Sequence, residues 1–266
     1  MENEKKKKAG LNYRALILVV LLLVAAILAL AMWINIWLFV LALVGVVAAV
    51  VGFMLHLGII GCIGPFANAG MTISSNRMKK KYGARPKGEI IFYGASNFTF
   101  WKTSDNDMKP YVTQNHGFGG STDDLMRDNA SRMLYPYKPS IVFIQTGSND
   151  NARGLQLEQI KQNKIALFAE YRKNLPYTRF IIMSGLPVPA RPQFWPDIQA
   201  VNQFLQSYCD SQENMEFIDA TAVMTKPDGD FRPEYFVKDG LHLNQEGHNA
   251  WTVLMKQKLK EMGVKP

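Results

Sequence analysis

Cysteine is nearly absent: the 266 residues hold only Cys62 and Cys209. Two thiols so far apart, one inside an apolar stretch, do not make a disulfide framework and are compatible with a reducing compartment. No His, Cys and Asp set has metal-ligand spacing, so neither a metal nor a cofactor is expected. Charge is missing from Ala15 to Cys62, where there is no Asp, Glu, Lys or Arg. Excess charge is also missing from 88–266, which holds 19 basic and 20 acidic residues. No basic stripe interleaved with aromatics runs through that part, which argues against nucleic acid as a partner. No internal repeat is visible, and the only low-complexity tract is Lys5 to Lys8. The chain is 48% hydrophobic, enough for a real core, which excludes wholesale disorder.

The net charge of +8 sits in two short blocks. Residues 1–14 carry five basic and two acidic residues, and residues 77–87 carry six basic ones. Between them lies the uncharged run, more than twice the ~20 apolar residues of one membrane span. Two spans fit it, Arg14 to Met32 and Leu38 to Ile60. The turn would fall at Trp33-Ile34-Asn35-Ile36-Trp37, an amide flanked by two tryptophans of the kind that sit at interfaces. Basic flanks at both ends then place both ends in the cytoplasm, making this a two-span protein of the cell membrane with the bilayer as a partner. The 77–87 block would rest on anionic lipid or serve as a solvated linker. Ala29-Leu30-Ala31 has the look of a signal-peptidase site, and Ile59-Ile60-Gly61-Cys62 that of a lipobox without basic residues directly before its apolar segment. If only one segment spans, the remaining domain faces outward. The expected parts are a basic tail (1–14), a transmembrane hairpin (15–62), a basic juxtamembrane linker (63–87) and a globular domain (88–266).

In the globular part, short apolar runs ending in glycine read as buried strands: Glu89 to Tyr93, Ser140 to Thr146 and Arg179 to Ser184. Glu216 to Asp219 is a shorter fourth, and Tyr111 to Asn115 a weaker candidate. Runs apolar on both faces suit a covered parallel sheet. Helical patterns fill the gaps at Thr122 to Leu134, Leu155 to Leu175, Pro196 to Cys209 and Gln245 to Met262. This order predicts a three-layer α/β/α sandwich, with a site outside the carboxyl ends of its strands.

Three polar clusters fall at such positions: Gly94-Ala95-Ser96-Asn97, Asn115-His-Gly-Phe-Gly-Gly120-Ser-Thr122 and Gly147-Ser-Asn149-Asp150. A fourth, Asp239-Gly-Leu-His242, precedes the last helix. Singly, a serine after a strand is usually a helix cap, a Gly-rich loop a turn, and a lone histidine structural. Together and in this order, the four blocks resemble those of the SGNH, or GDSL-type, hydrolases, over roughly Glu89 to the C-terminus. The resemblance implies a flavodoxin-like parallel sandwich and a serine nucleophile at Ser96. It implies an oxyanion hole from the Ser96 and Gly120 N–H groups and the Asn149 side chain, and a base at His242 oriented by Asp239. The family's Gly-Asp-Ser-Leu has Ala95 and Asn97 here at its second and fourth places.

The chemistry agrees with the assignment. A serine hydroxyl needs an adjacent base, an imidazole titrates near neutrality, and a carboxylate fixes its tautomer. His116 lies close enough to the Gly-rich loop's site to touch substrate or to serve the turn. Phe98, Phe100 and Trp101 either line an acyl pocket or pack the helix onto the sheet. Arg191 and Trp195, on a proline-rich loop after the third strand, are expected at the substrate rim. The expected reaction is cleavage of a small or medium acyl ester, of a lipid or, if the domain faces outward, an acetylated glycan. The same residues would serve an acyltransferase, and an inert membrane scaffold is the third reading.

Overall fold

A computed structural model describes residues 13–34, 36–56, 67–83, 85, 87–226 and 230–266. The tail before residue 13, Asn35 at the expected turn, and Ile59 to Cys62 lie outside the described residues. The chain divides into two compact units, Met1–Phe53 and Met54–Pro266. Helix α1 spans Tyr13–Ile34 and α2 spans Ile36–His56. Among the described residues no helix is long and apolar enough to cross a membrane, so the structure does not by itself support the expected transmembrane hairpin.

The second unit is built on β1 (Ile90–Gly94), β2 (Thr113–Asn115), β3 (Ile141–Gln145), β4 (Arg179–Met183) and β5 (Met215–Ile218). All pairings are parallel, in the order β2-β1-β3-β4-β5. This is the flavodoxin-like order that the family resemblance implied. Alternate residues of each strand enter different cores. Ile91, Tyr93, Val142, Ile144, Phe180 and Ile182 face one, and Ile90, Phe92, Ile141, Phe143, Ile181 and Met183 the other. The first core is covered by α3 (Ala67–Tyr82), α6 (Asp123–Met133), α8 (Leu157–Asn174) and α9 (Trp195–Asp210). The second is covered by α4 (Ser96–Phe100), α10 (Gln245–Glu261) and the loops between β4 and α10. Two short helices, α5 (Ser104–Asp107) and α7 (Ser148–Ala152), were not legible as helical patterns.

Two local readings change. The strand expected over Tyr111 to Asn115 forms only from Thr113, because the Tyr111 N–H is held by Met108 O in a turn (3.1 Å) and its ring joins the second core. The stretch 63–87 holds α3, whose Met71, Met78 and Tyr82 are buried in the first core while Lys79 and Lys80 are exposed. Spacings of seven and four put those three apolar residues on one helical face.

Candidate active site

The strand order reverses between β1 and β3, and the functional candidates gather beyond the carboxyl ends of these two strands. Ser96 opens α4 directly after β1, and Asn149 lies in α7 directly after β3. Ser96 and Asn149 line one depression, together with Gln145, Thr146, Leu186 and Leu241. A Cβ built on Gly119 would lie 3.8 Å from that of Ser96, so the Gly-rich loop passes beside the serine. Gly120 has a φ of 74°, in the left-handed region.

Asp239 and His242 come from the loop before α10. His242 Nε2 lies 2.9 Å from Ser96 Oγ, and His242 Nδ1 lies 2.7 Å from Asp239 Oδ2. With Nδ1–H donating to the carboxylate, Nε2 carries the lone pair that accepts the Ser96 hydroxyl. Asp239 Oδ1 also accepts the Leu241 N–H (2.8 Å) and the His242 N–H (3.0 Å). Burial pushes the Asp239 carboxyl up, but the N–H bonds from His242 and Leu241 outweigh it and hold the pKa below the usual carboxylate value. The Phe100 ring meets His242 edge-on, with centroids 4.7 Å apart.

Asn149 is held on both sides. Its Nδ2 donates to Ser121 O at 2.9 Å, leaving a second hydrogen, and Arg191 Nη1 lies 3.5 Å from its Oδ1. Arg191 also donates to Ser148 O and Oγ, both at 3.0 Å. The residue expected at a substrate rim therefore braces the Asn149 turn. Beneath that turn, Lys164 Nζ lies 3.2 Å from Asp123 Oδ2, and the Asp123 N–H donates to Asp150 Oδ1 at 3.2 Å. Burial, then the Asp123 charge, raises Asp150 to about 7, against the pull of Lys164. Gly147, with φ 112°, admits this lysine: a Cβ there would be strained and only 3.2 Å from Nζ.

Several other candidates lie outside the lining of the Ser96 depression. Trp101 is 1% exposed, stacked on Phe92 and His248, and donates through Nε1 to Asp107 (2.7 Å); it does not line the Ser96 depression. Trp195 packs edge-on to Phe231 and lines a separate hollow with Asn202 and Asp219. Phe98 is fully buried in the second core. His116 is buried, with Nδ1 2.6 Å from Met133 O, and burial drops its pKa to about 4, so it is a neutral structural group. Among the described residues no His, Cys, Asp and Glu cluster could hold a metal ion.

Two contributors went unread in the sequence. Asn97 Oδ1 accepts the Leu243 N–H (3.1 Å), and Asn97 O accepts from His248 Nε2 (2.9 Å). These bonds tie the loop of Ser96 to the loop of His242. The available signal was Asn97 itself, a polar residue where the family pattern commonly has leucine.

A serine, an imidazole and a carboxylate thus stand in hydrogen-bonded series at the carboxyl edge of a flavodoxin-like sheet in a three-layer α/β/α frame. The family model described as GDSL-like Lipase/Acylhydrolase matches residues 94–250, and the chain belongs to that family. Several solved structures share the fold. One is described as a candidate platelet activating factor from Streptococcus pneumonia (21% identity, TM-score 0.62, covering 73% of this chain and 96% of that one). Another is a GDSL-like lipase from Bacteroides thetaiotaomicron (20%, TM-score 0.58, 71% and 98%). A third is a family 3 carbohydrate esterase from Clostridium thermocellum (15%, TM-score 0.52, 66% and 96%). No curated protein matches the chain. Family membership makes the coarse activity that of a hydrolase.

Proposed function

We propose that the protein is a carboxylic-ester hydrolase acting through an acyl-enzyme at Ser96, anchored to a membrane by residues 15–62. The observation that carries the reading is the hydrogen-bonded series Ser96 Oγ, His242, Asp239, with steps of 2.9 and 2.7 Å. His242 Nε2 takes the Ser96 proton as Oγ attacks the ester carbon, and Asp239 stabilises the imidazolium that results. The Ser96 and Gly120 N–H groups and the second Nδ2 hydrogen of Asn149 receive the developing oxyanion. Collapse expels the alcohol, which leaves with the proton from His242; water, activated by the same nitrogen, then releases the acid and restores Ser96. An acceptor alcohol in place of water would make the same residues a transferase, so transfer products are assayed beside hydrolysis.

The anchor is supported by the absence of charge from Ala15 to Cys62 and by the side chains of α1 and α2. Leu21, Leu30 and Leu41 are 59%, 68% and 67% exposed, apolar surface that lipid would cover. The basic flanks favour a cytoplasmic face for the 88–266 domain. The substrate would then be a lipid or other small to medium acyl ester, reached at the bilayer surface.

A fluorophosphonate probe should label the wild-type protein and fail to label Ser96→Ala. An unlabelled wild type with an intact fold would sink the esterase reading. Protease added to sealed vesicles of known orientation should cut the globular domain only from the cytoplasmic side.

A further inference from the structure

We propose that the cavity between α3 and α4 is a phosphate-binding pocket for the headgroup of the ester that Ser96 would cut. The cavity measures about 260 Å³, several times the ~30 Å³ that one water molecule occupies in the liquid. Its walls include Ser74, Arg77, Lys81, Thr99 and Lys102. Three cations thus converge from two elements. Residues 74, 77, 78, 81 and 82 are spaced by three and four, so one face of α3 lines the pocket, with Met78 and Tyr82 buried and Arg77 and Lys81 exposed. Burial, then the charges of Arg77 and Lys81, lowers the pKa of Lys102.

A carboxylate partly offsets Lys81, with Asp105 Oδ2 3.0 Å from its Nζ. Lys102 donates to Thr99 O at 2.7 Å. An ammonium has three donors, so each lysine keeps capacity for a phosphate oxygen. The pocket also adjoins the candidate chemistry. Lys102 Nζ sits 5.8 Å from the centre of the Phe100 ring, whose other neighbour is His242. A phosphate held here would set an attached acyl ester near Ser96. The proposal names a substrate class for the esterase and so rests on that reading for the headgroup, while the pocket itself does not.

The test uses the full chain in uncharged detergent micelles, with inorganic phosphate titrated calorimetrically. Wild type should bind phosphate, Arg77→Gln/Lys102→Gln should lose at least roughly tenfold in affinity, and Lys102→Arg should keep binding. In parallel, kcat/KM is compared for a 1-acylglycerol 3-phosphate and the uncharged 1-acylglycerol of the same chain length. Their ratio should favour the phosphate ester and fall at least roughly tenfold in Lys102→Gln. Phosphate binding with an unchanged ratio would leave free phosphate as the ligand and overturn the headgroup assignment. Absence of phosphate binding in folded wild type overturns the pocket. Should Ser96 resist the fluorophosphonate probe and neither ester be cut, the esterase reading fails, and the phosphate titration still decides the pocket by itself.

Discussion

Two clusters of ionisable side chains stand near the carboxyl edge of the sheet, and they are built in opposite ways. Asp239 and His242 have side chains 46% and 21% exposed, and they sit on one short loop. Asp123 and Lys164 are 0% and 1% exposed, come from α6 and α8, and meet Asp150 of α7 in the interior. The exposed pair keeps contact with water, and its imidazole lies against Ser96 Oγ. The buried set is compensated only by its own members, so its cost is paid by the fold. The lesson is that proximity of acid and base does not mark chemistry; access to a nucleophile does.

The difference can be broken by substitution. His242→Ala should lower ester turnover by roughly 10⁶ if the imidazole acts as base, while the urea unfolding midpoint moves little. A variant that unfolds instead would place His242 in the scaffold. Lys164→Met should do the reverse and cost ~3–5 kcal/mol of stability by leaving two carboxylates buried together. Denaturant titration checks it, and wild-type stability would show that the interior carboxylates are already neutral. Between these lies Asn149→Ala, at a residue that lines the Ser96 depression and precedes Asp150 in α7. It should reduce kcat by roughly 10²–10³ with a much smaller change in KM. Equal changes in both would assign Asn149 to ground-state binding.

The smallest effect concerns pH. Asp150 is raised from 3.8 to about 7 in the fold. A raised carboxyl pKa means the native state holds its proton while the unfolded chain releases it. The contribution is therefore intact below about pH 4 and is lost as pH climbs toward 7. Asp150→Asn should flatten the decline in Tm across that window, read by thermal melts at pH 5 and pH 8 against wild type. An identical decline in both proteins would remove Asp150 from the buried set.

Much of the framework was readable along the chain. β1, β3 and β4 are apolar at every or nearly every position because both faces of the sheet are covered, and a run of that kind bounded by glycine needs no tertiary information to recognise. Ser96, Gly120, Asn149, Asp239 and His242 were legible as a set because their order and spacing resemble a family pattern. The substrate guesses fared differently. Phe100 reaches His242, but Trp101 faces the core, Trp195 lines another hollow and Arg191 braces a turn. Which side of a loop an aromatic ring takes depends on packing partners distant in sequence, and local pattern carries no record of them.

The amino-acid sequence alone determined the alternation of elements and the apolar character of the strands, and it singled out Ser96, Asp239 and His242 as candidates, since each follows from side-chain chemistry read over a few positions. Only the folded chain decided that Asn97 clasps the loop of His242, that Lys164 lies under Gly147, and that Arg77, Lys81 and Lys102 share a cavity. The first two relations join residues 146 and 17 positions apart, and Lys102 lies 21 positions beyond Lys81. Contacts at such separations are fixed by how layers pack, and a linear pattern has no term for that.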